Sequence, residues 1–277
     1  MTTIKQRPIP YLLIFFIVTI SLSSCVEKID LIVDDHDKKR LVVEGMITTD
    51  TTSHIVKLTK TAPYFSQKPA ERVSGAEVAI TDHLGNIYYL NETEPGVYKT
   101  DADVYGVIGH TYHLNINYED ELFSAQSTMK RVPVIDSLSY QWDPLREQYN
   151  ILLYGKEPEG RGDIYMWHVY KNGKQVTDTL DKVLYTNDEF FDGNYIYGLE
   201  ITHWYYNYNI QKNDTVRIDT HSITEDALLF LTGMLYESNY SGSPFDAPPA
   251  NIHSNISNDA IGLFLASAIT RKTIIIE

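Results

Sequence analysis

Cysteine is almost absent from this 277-residue chain, which contains only Cys25. An internal disulfide is therefore excluded, and stability must come from packing. Basic residues are also few, with 23 Lys and Arg against 37 Asp and Glu and a net charge of -14. Nucleic acid and anionic lipid surfaces both require basic patches, so this balance argues against either as an electrostatic partner.

Long hydrophobic runs are missing as well. The apolar stretch at residues 11–20 is too short for a comfortable transmembrane span of about 20 residues. It follows Lys5 and Arg7 and ends in Leu22-Ser23-Ser24-Cys25, which is the tripartite pattern of an export signal with a lipobox. We therefore predict that residues 1–24 are a lipoprotein signal peptide. The alternatives are a transmembrane helix or a secreted protein with a chance cysteine.

The predicted lipid anchor is carried by Cys25, with a diacylglycerol on the thiol and a further acyl chain, such as palmitate, on the amine. Each buried methylene contributes about 0.8 kcal/mol, so several chains hold where one would not. Cleavage would remove two basic and no acidic residues and take the net charge from -14 to -16. Residues 25–39 are rich in charge and are predicted to be a tether.

Period-two runs of apolar residues begin at residue 40 and predict short, half-buried strands. Residues 112, 114, 116 and 118 alternate with polar residues, and residues 82–86 form a hairpin turn. Seven such strands in about 90 residues, with frequent turn signals, predict an immunoglobulin-like β-sandwich over residues 40–131.

A second unit is predicted over residues 135–277, after the proline at 133. Its strands include residues 195–201, 204–210 and 215–220, and it closes with residues 261–269 and 273–276. Ser222 and Glu225 form a capping box for one helix near residues 225–237, whose apolar face is expected to cover the sheet. The predicted fold is mainly β, with two sandwich-like domains and one packed helix in the larger C-terminal one.

Catalytic signatures are absent. The chain has no zinc-hydrolase, phosphate-loop or nucleophile-elbow motif. His110 and His113 are three apart, so a strand would point them to opposite faces. Asp101 and Asp103, like the acidic turn at residues 119–121, lack the glycine-punctuated loop of a calcium site. We therefore predict no catalytic residue, no metal and no cofactor, although an enzyme with a dispersed carboxylate site stays open.

The segment from residue 185 to 208 mixes aromatic rings with amide and carboxylate groups, a combination that suits sugars, heterocycles or a protein partner. Prolines at 244, 248 and 249 stiffen a later loop, which would lower its entropy cost on binding. The predicted binding residues are Tyr195, Tyr197, Trp204, Tyr206, Phe245, Asp246 and Asn251. The alternative is that alternate rings simply fill the core.

Several segments together resemble one family. They are the lipobox, Leu41-Val42-Val43-Glu44-Gly45, residues 59–65, residues 73–76 and the Gly-Ser-Pro-Phe-Asp-Ala-Pro-Pro-Ala-Asn loop at 242–251. The chain resembles the DUF4249 lipoproteins of Bacteroidetes over essentially all of its mature length. This resemblance implies an outer-membrane lipoprotein, often encoded beside TonB-dependent receptors that import nutrients. Acidic residues after Cys25 also resemble the surface-export signal of that phylum, for which a charged tether is the alternative.

Three functional hypotheses follow. The first is a surface-exposed, lipid-anchored binding accessory to a TonB-dependent nutrient transporter, with an unknown ligand. The second is a structural or adhesive surface protein that binds another protein, and the third is the enzyme with a dispersed site. An exposed aromatic patch beside the proline-rich loop would favour the first, a uniformly polar surface the second, and a cleft with paired carboxylates of perturbed acidity the third.

Overall fold

The period-two pattern after residue 40 folds into seven strands in the computed structural model, which describes residues 39–62, 68–202, 205–239 and 252–277. The strands are β1 (Leu41–Thr48), β2 (Ile55–Lys60), β3 (Glu77–Asp82), β4 (Ile87–Glu94), β5 (Val97–Lys99), β6 (Thr111–Tyr118) and β7 (Glu121–Thr128). On β6, Tyr112, Leu114 and Ile116 are buried while His113 and Asn117 are exposed, as the alternation predicts. Within those ranges, no helix is both long and apolar enough to cross a membrane.

An eighth strand, β15 (Ile261–Ser267), joins this sheet from near the C-terminus. It runs parallel to β1, and the strand order is β15-β1-β2-β5-β4-β3-β6-β7. Its close approach requires glycine at 262: the residue has a φ of +135°, and a Cβ there would lie 1.9 Å from the Val43 carbonyl oxygen. Phe264 is paired with Gly45, which leaves room for the ring.

The eight-stranded sheet curls so that its two end strands, β7 and β15, contact each other. The Ala266 N–H donates a 2.9 Å hydrogen bond to Ser127 Oγ, and Ser124 N–H donates a 2.8 Å bond to Ser257 Oγ. The sheet thereby encloses one core, in which Val43, Leu58, Leu114 and Phe264 are fully buried. Burial of this kind contributes about 1.5 to 3 kcal/mol per large side chain.

The second half consists of two smaller sheets that face each other across a core containing Trp167, Ile151 and Ile218. One has the order β13-β9-β8 and the other β11-β10-β14-β16, with β12 also paired to β10. The strands are β8 (Ser137–Asp143), β9 (Gln148–Lys156), β10 (Ile164–Lys171), β11 (Lys174–Gln175), β12 (Leu184–Asn187), β13 (Tyr195–Glu200), β14 (Thr215–Ser222) and β16 (Ile269–Ile275). A short 3₁₀ helix at Leu180–Lys182 precedes β12.

The predicted helix is present as α1 (Glu225–Asn239) and packs on β15. Its cap differs from the prediction: Thr224 Oγ1 accepts from the Ala227 N–H, while Ser222 lies in β14 and its hydroxyl donates to the Lys130 carbonyl. Pairing with Tyr165 of β10 and a hydrogen bond from the Ser222 N–H to the Ala268 carbonyl keep Ser222 extended, which prevents it from capping. Leu265 of β15 belongs to the apolar cluster under α1, whereas its neighbour Phe264 belongs to the first core. Strand β15 therefore lies between α1 and the first core.

The prediction of a strand over residues 204–210 is wrong. Residues 205–210, which are the part of this segment that the structure describes, form no strand. The reason is Gln148, which is fully buried and accepts hydrogen bonds at Oε1 from the N–H groups of Tyr208 and Asn209. At residues 208 and 209 a side chain thus takes the place of a neighbouring strand, while the Ile210 carbonyl accepts from the Tyr149 N–H of β9.

The mainly β fold, with two sandwich-like halves and one packed helix, is confirmed. Residues 39–277 form one compact unit. The division into domains at 40–131 and 135–277 stays a prediction, and the structure adds that β15 passes from the second range into the first sheet. Residues 1–24, and the tether up to residue 38, lie outside the described residues.

Candidate functional site

An open pocket of about 580 Å³ lies at one end of the first sandwich. Its wall comes from three segments: the β3–β4 hairpin with the start of β4, the loop at residues 101–107, and the start of β6. The lining residues are Asp82, Leu84, Asn86, Ile87, Tyr88, Tyr89, Asn91, Asp101, Asp103, Val104, Tyr105, Val107, His110 and Tyr112. This volume falls in the range of pockets that bind small molecules.

The loop that forms one wall is fixed by backbone hydrogen bonds to its neighbours. The Val104 carbonyl accepts from the Thr52 N–H at 3.1 Å, and the Gly106 N–H donates to the Thr48 carbonyl at 2.7 Å. Gly106 packs closely against this neighbour, because a Cβ there would lie 3.0 Å from that carbonyl oxygen and would displace the end of the Met129 side chain. The pocket wall is therefore formed in advance of any ligand, which lowers the entropy cost of binding.

The hairpin side of the pocket is organised by Asp82. Its Oδ1 accepts from the N–H groups of Leu84 and Asn86, both at 2.9 Å, and its Oδ2 accepts from Asn86 Nδ2 at 2.8 Å. Burial by itself would raise the pKa of Asp82, but the hydrogen bonds from Asn86 and Leu84 outweigh it and hold the pKa below its usual value. Asp82 is therefore an ionised turn residue.

Two tyrosines line the inner part of the pocket. Tyr112 is buried and accepts a 2.8 Å hydrogen bond from the Val107 N–H. Burial raises the pKa of both Tyr88 and Tyr112, and the nearby Asp82 carboxylate adds to the effect. Both phenols therefore keep their protons at neutral pH and offer hydroxyl groups to a ligand.

The outer part of the pocket is both aromatic and acidic. The side chains of Tyr89 and Tyr105 are 71% and 54% exposed, and Leu84, Ile87 and Val107 are exposed beside them. Asp101 and Asp103 are also exposed, and neither lysine nor arginine is among the residues that line the pocket. An apolar rim with a few polar groups is typical of a binding site for a small amphipathic molecule.

His110 adds an unusual polar atom. Its Nδ1 is buried and makes no hydrogen bond within the described structure, and its ring lies edge-on to His83 with centroids 4.0 Å apart. His113 instead lines a separate depression with Asn115 and Ser257, so the two histidines do not converge on one ion. An unpaired buried nitrogen costs free energy unless a ligand or water meets it.

The sequence-predicted binding residues divide into two places. Tyr195 and Tyr197 lie together on the edge strand β13, with ring centroids 4.6 Å apart, and Tyr197 is 82% exposed. Tyr206 lies in the irregular segment instead, where its hydroxyl bonds to the Asp181 carboxylate. Trp204, Phe245, Asp246 and Asn251 lie outside the described residues, as does the lipidation residue Cys25.

A second acidic group lies in the other half. Glu157, Asp188 and Asp192 each place one carboxylate oxygen within 4.8 Å of the other two, the one group of metal-ligand type found within the described ranges. Their oxygens already accept hydrogen bonds from the Tyr165 hydroxyl and from the N–H groups of Gly160, Gly162, Asp163 and Gly193. Burial raises the pKa of Glu157, and the nearby Asp188 adds to the effect, although the bonds from Gly193 and Tyr165 oppose it. This cluster ties two loops together.

Sequence reasoning missed the pocket because its residues come from separate segments. In the sequence, Asp101, Asp103 and His110 suggest only metal ligation. The tyrosines at 88 and 89 belong to a strand and the one at 105 to a loop, so nothing in the sequence groups them. The available signal was the concentration of tyrosine and aspartate between residues 82 and 112.

Comparison with known proteins gives one family and a distant structural likeness. No curated protein sequence matches the chain. Among solved structures, a two-domain fibronectin type-III segment of chicken tenascin is 10% identical, with 68% of this chain and 92% of that chain covered and a TM-score of 0.22. That score is too low to support an argument. A family model matches residues 26–273, and the chain therefore belongs to the family described as "Domain of unknown function (DUF4249)".

Proposed function

We propose that this protein is a binding accessory of a TonB-dependent nutrient transporter, anchored in the outer membrane by lipid on Cys25 and exposed at the cell surface. The ligand is captured in the pocket of the first sandwich. The observation that carries the proposal is the preformed pocket itself, with a wall held by backbone hydrogen bonds and a rim of exposed tyrosines.

The location and the transporter rest on the sequence. The lipobox before Cys25 supports the anchor, and the family resemblance supports the outer membrane and the transporter. An anchored capture protein raises the local concentration of its ligand near the transporter, since both are held at the same surface.

A second candidate function is adhesion to another protein, and the tyrosine pair of β13 favours it. Tyr195 and Tyr197 lie on an edge strand, and Tyr197 is largely exposed. Tyrosine supplies contact area at low conformational cost, and edge strands offer unpaired backbone groups. No reaction is proposed, because the carboxylates of the Glu157 cluster are engaged in hydrogen bonds that hold its loops.

The test is recovery of the lipidated full-length chain from its native membrane in mild detergent, followed by identification of the proteins that come with it. We expect a TonB-dependent receptor to be enriched over an untagged control. The matched variant is Cys25→Ala, which cannot be acylated and, if its signal peptide is cleaved, should appear in the soluble fraction. A variant that stays in the membrane would contradict the anchor, and absence of any receptor would contradict the transporter role.

A further inference from the structure

The acidic and basic residues that line the pocket are all of one sign. Asp82, Asp101 and Asp103 line it, and neither lysine nor arginine does. Asp82 is engaged by the hairpin turn, whereas Asp101 and Asp103 are exposed and make no side-chain hydrogen bond within the described structure. Two carboxylates are thus available to a ligand, and an anionic ligand would be repelled by all three.

The rings beside these carboxylates suit the same kind of ligand. The faces of aromatic rings carry negative electrostatic potential, and they attract ammonium and guanidinium groups that approach within about 6 Å. Tyr89 and Tyr105 are both more than half exposed, and Tyr88 is a third ring in the pocket lining. Aromatic rings combined with carboxylates are the usual means of recognising an organic cation.

Further polar atoms in the pocket lining add acceptors. Asn86 and Asn91 have side-chain carbonyl oxygens, and the hydroxyl groups of Tyr88 and Tyr112 can accept as well as donate. The buried Nδ1 of His110 has no partner within the described structure, and in its unprotonated form it also accepts. An N–H-bearing cation supplies several donors at once, which this arrangement matches.

We propose that the pocket binds an organic cation, with its ammonium or guanidinium group held between Asp101, Asp103 and the ring of Tyr105. The exposed Leu84, Ile87 and Val107 at the rim make contact with an apolar body attached to that group. This inference deepens the proposed function, on which it rests, by naming the chemical class of the captured ligand. A side chain of lysine or arginine in a peptide, or a free amine, has this chemistry.

The probes are two matched pairs of small molecules. Nα-acetyl-arginine amide is compared with Nα-acetyl-citrulline amide, which has nearly the same shape but no charge, and Nα-acetyl-lysine amide with Nα-acetyl-norleucine amide. Binding to the purified chain is titrated by ligand-observed NMR at low ionic strength, up to about 10 mM, because a single charged group gives affinity near the millimolar range. We expect both cations to bind at least about fivefold more tightly than their neutral partners.

Four variants locate the binding. Asp101→Asn with Asp103→Asn should reduce both cations to the affinity of the neutral probes. Glu94→Gln with Asp120→Asn removes two exposed carboxylates of the same sandwich away from the pocket and should change nothing. Tyr105→Leu should weaken cation binding about two- to fivefold, while Tyr105→Phe keeps the ring and the affinity.

Three outcomes would overturn the inference. One is equal binding of citrulline amide and arginine amide, as a pocket for neutral ligands such as sugars would give. The second is an equal loss in the Glu94 and Asp120 control, which would assign the binding to the overall negative charge. The third is absence of binding by either cation. None of these affects recovery of a TonB-dependent receptor, so failure of the cation inference and failure of the transporter proposal are distinguishable.

Discussion

Two groups of carboxylates in the described part of the chain behave differently. In the first sandwich, Asp101 and Asp103 stand exposed at the rim of the pocket without hydrogen-bond partners among the described residues. In the second half, Glu157 and Asp188 are buried, and each accepts hydrogen bonds from neighbouring groups. The pocket acids are available to a ligand, whereas the buried acids are used by the fold.

The difference shows that the number of acidic residues does not identify a binding site. Burial raises the pKa of Glu157 in the buried cluster, but the hydrogen bonds that its carboxylate accepts account for its presence there. The pocket has unsatisfied groups, among them the Nδ1 atom of His110. Polar groups that the protein itself leaves unpaired are the better guide to a ligand.

The largest expected effect comes from Phe264→Ala, which tests whether the two halves are independent. The ring is fully buried in the first core, although its strand comes from the C-terminal segment. We expect a loss of about 3 to 5 kcal/mol in the free energy of unfolding. All three tryptophans of the chain, at 142, 167 and 204, lie after residue 131, so tryptophan fluorescence reports on the second half.

If β15 and β16 couple the halves, the transition seen by fluorescence shifts together with the one seen by circular dichroism. A fluorescence transition that stays at the wild-type midpoint would show that the second half unfolds separately. Leu265→Ala, on the opposite face of β15 under α1, is the matched control for general damage to the strand.

The next effect compares the two acidic regions directly. Glu157→Ala removes the acceptor of the Tyr165 hydroxyl and of the Gly193 N–H, so we expect a loss of about 2 to 3 kcal/mol at pH 7. Glu157→Gln should cost less, because it keeps one acceptor and removes a buried charge. The double variant of Asp101 and Asp103 to Asn should change stability by no more than about 0.5 kcal/mol. Urea titrations of the three variants measure these values.

The pH dependence of Glu157 has a definite sign. Its pKa is raised in the folded state, so its contribution to stability is present below the ordinary pKa of glutamate and is lost as the pH rises through the folded value. Glu157→Gln should therefore remove a part of the pH dependence of stability above pH 4.5.

Equal losses of stability from the Asp101 and Asp103 variant and from Glu157→Ala would contradict the distinction between the two acidic regions.

The smallest effect concerns His221, which lies where the two halves meet. Its pKa is lowered to about 3, first by burial and then by the nearby His168 and Arg271, with Asp50 opposing. A lowered pKa means that its contribution to stability is present above pH 6.5 and is lost as the pH falls toward 3. By pH 5 we expect a loss of about 1 to 2 kcal/mol, measured by urea titration at pH 7 and pH 5.

His221→Asn cannot titrate and should lose less stability over this interval. The buried His54 and the half-buried His168, whose pKa values are also lowered by desolvation, give the remaining slope. An unchanged slope in the variant would show that His221 takes up its proton equally in the folded and the unfolded chain, and would contradict a lowered pKa.

The sequence predicted the strands well because alternation is a local property. The buried face of β6 and the hairpin at Asp82 follow from neighbouring residues alone. The strand expected at 204–210 failed because Gln148, some 60 residues away, satisfies that backbone with its side chain. The cap of α1 failed for a similar reason, since β14 holds Ser222 in the sheet.

By itself, the sequence determined the mainly β class, the sandwich-like halves and the single packed helix, because periodicity, turn residues and helix spacing are written in consecutive residues. Only the tertiary structure decided that β15 completes the first sheet, and that Asp101, Tyr89 and His110 share one pocket. These relations depend on which surfaces exclude water together and which backbone groups remain to be paired. Neither is fixed until distant segments have met.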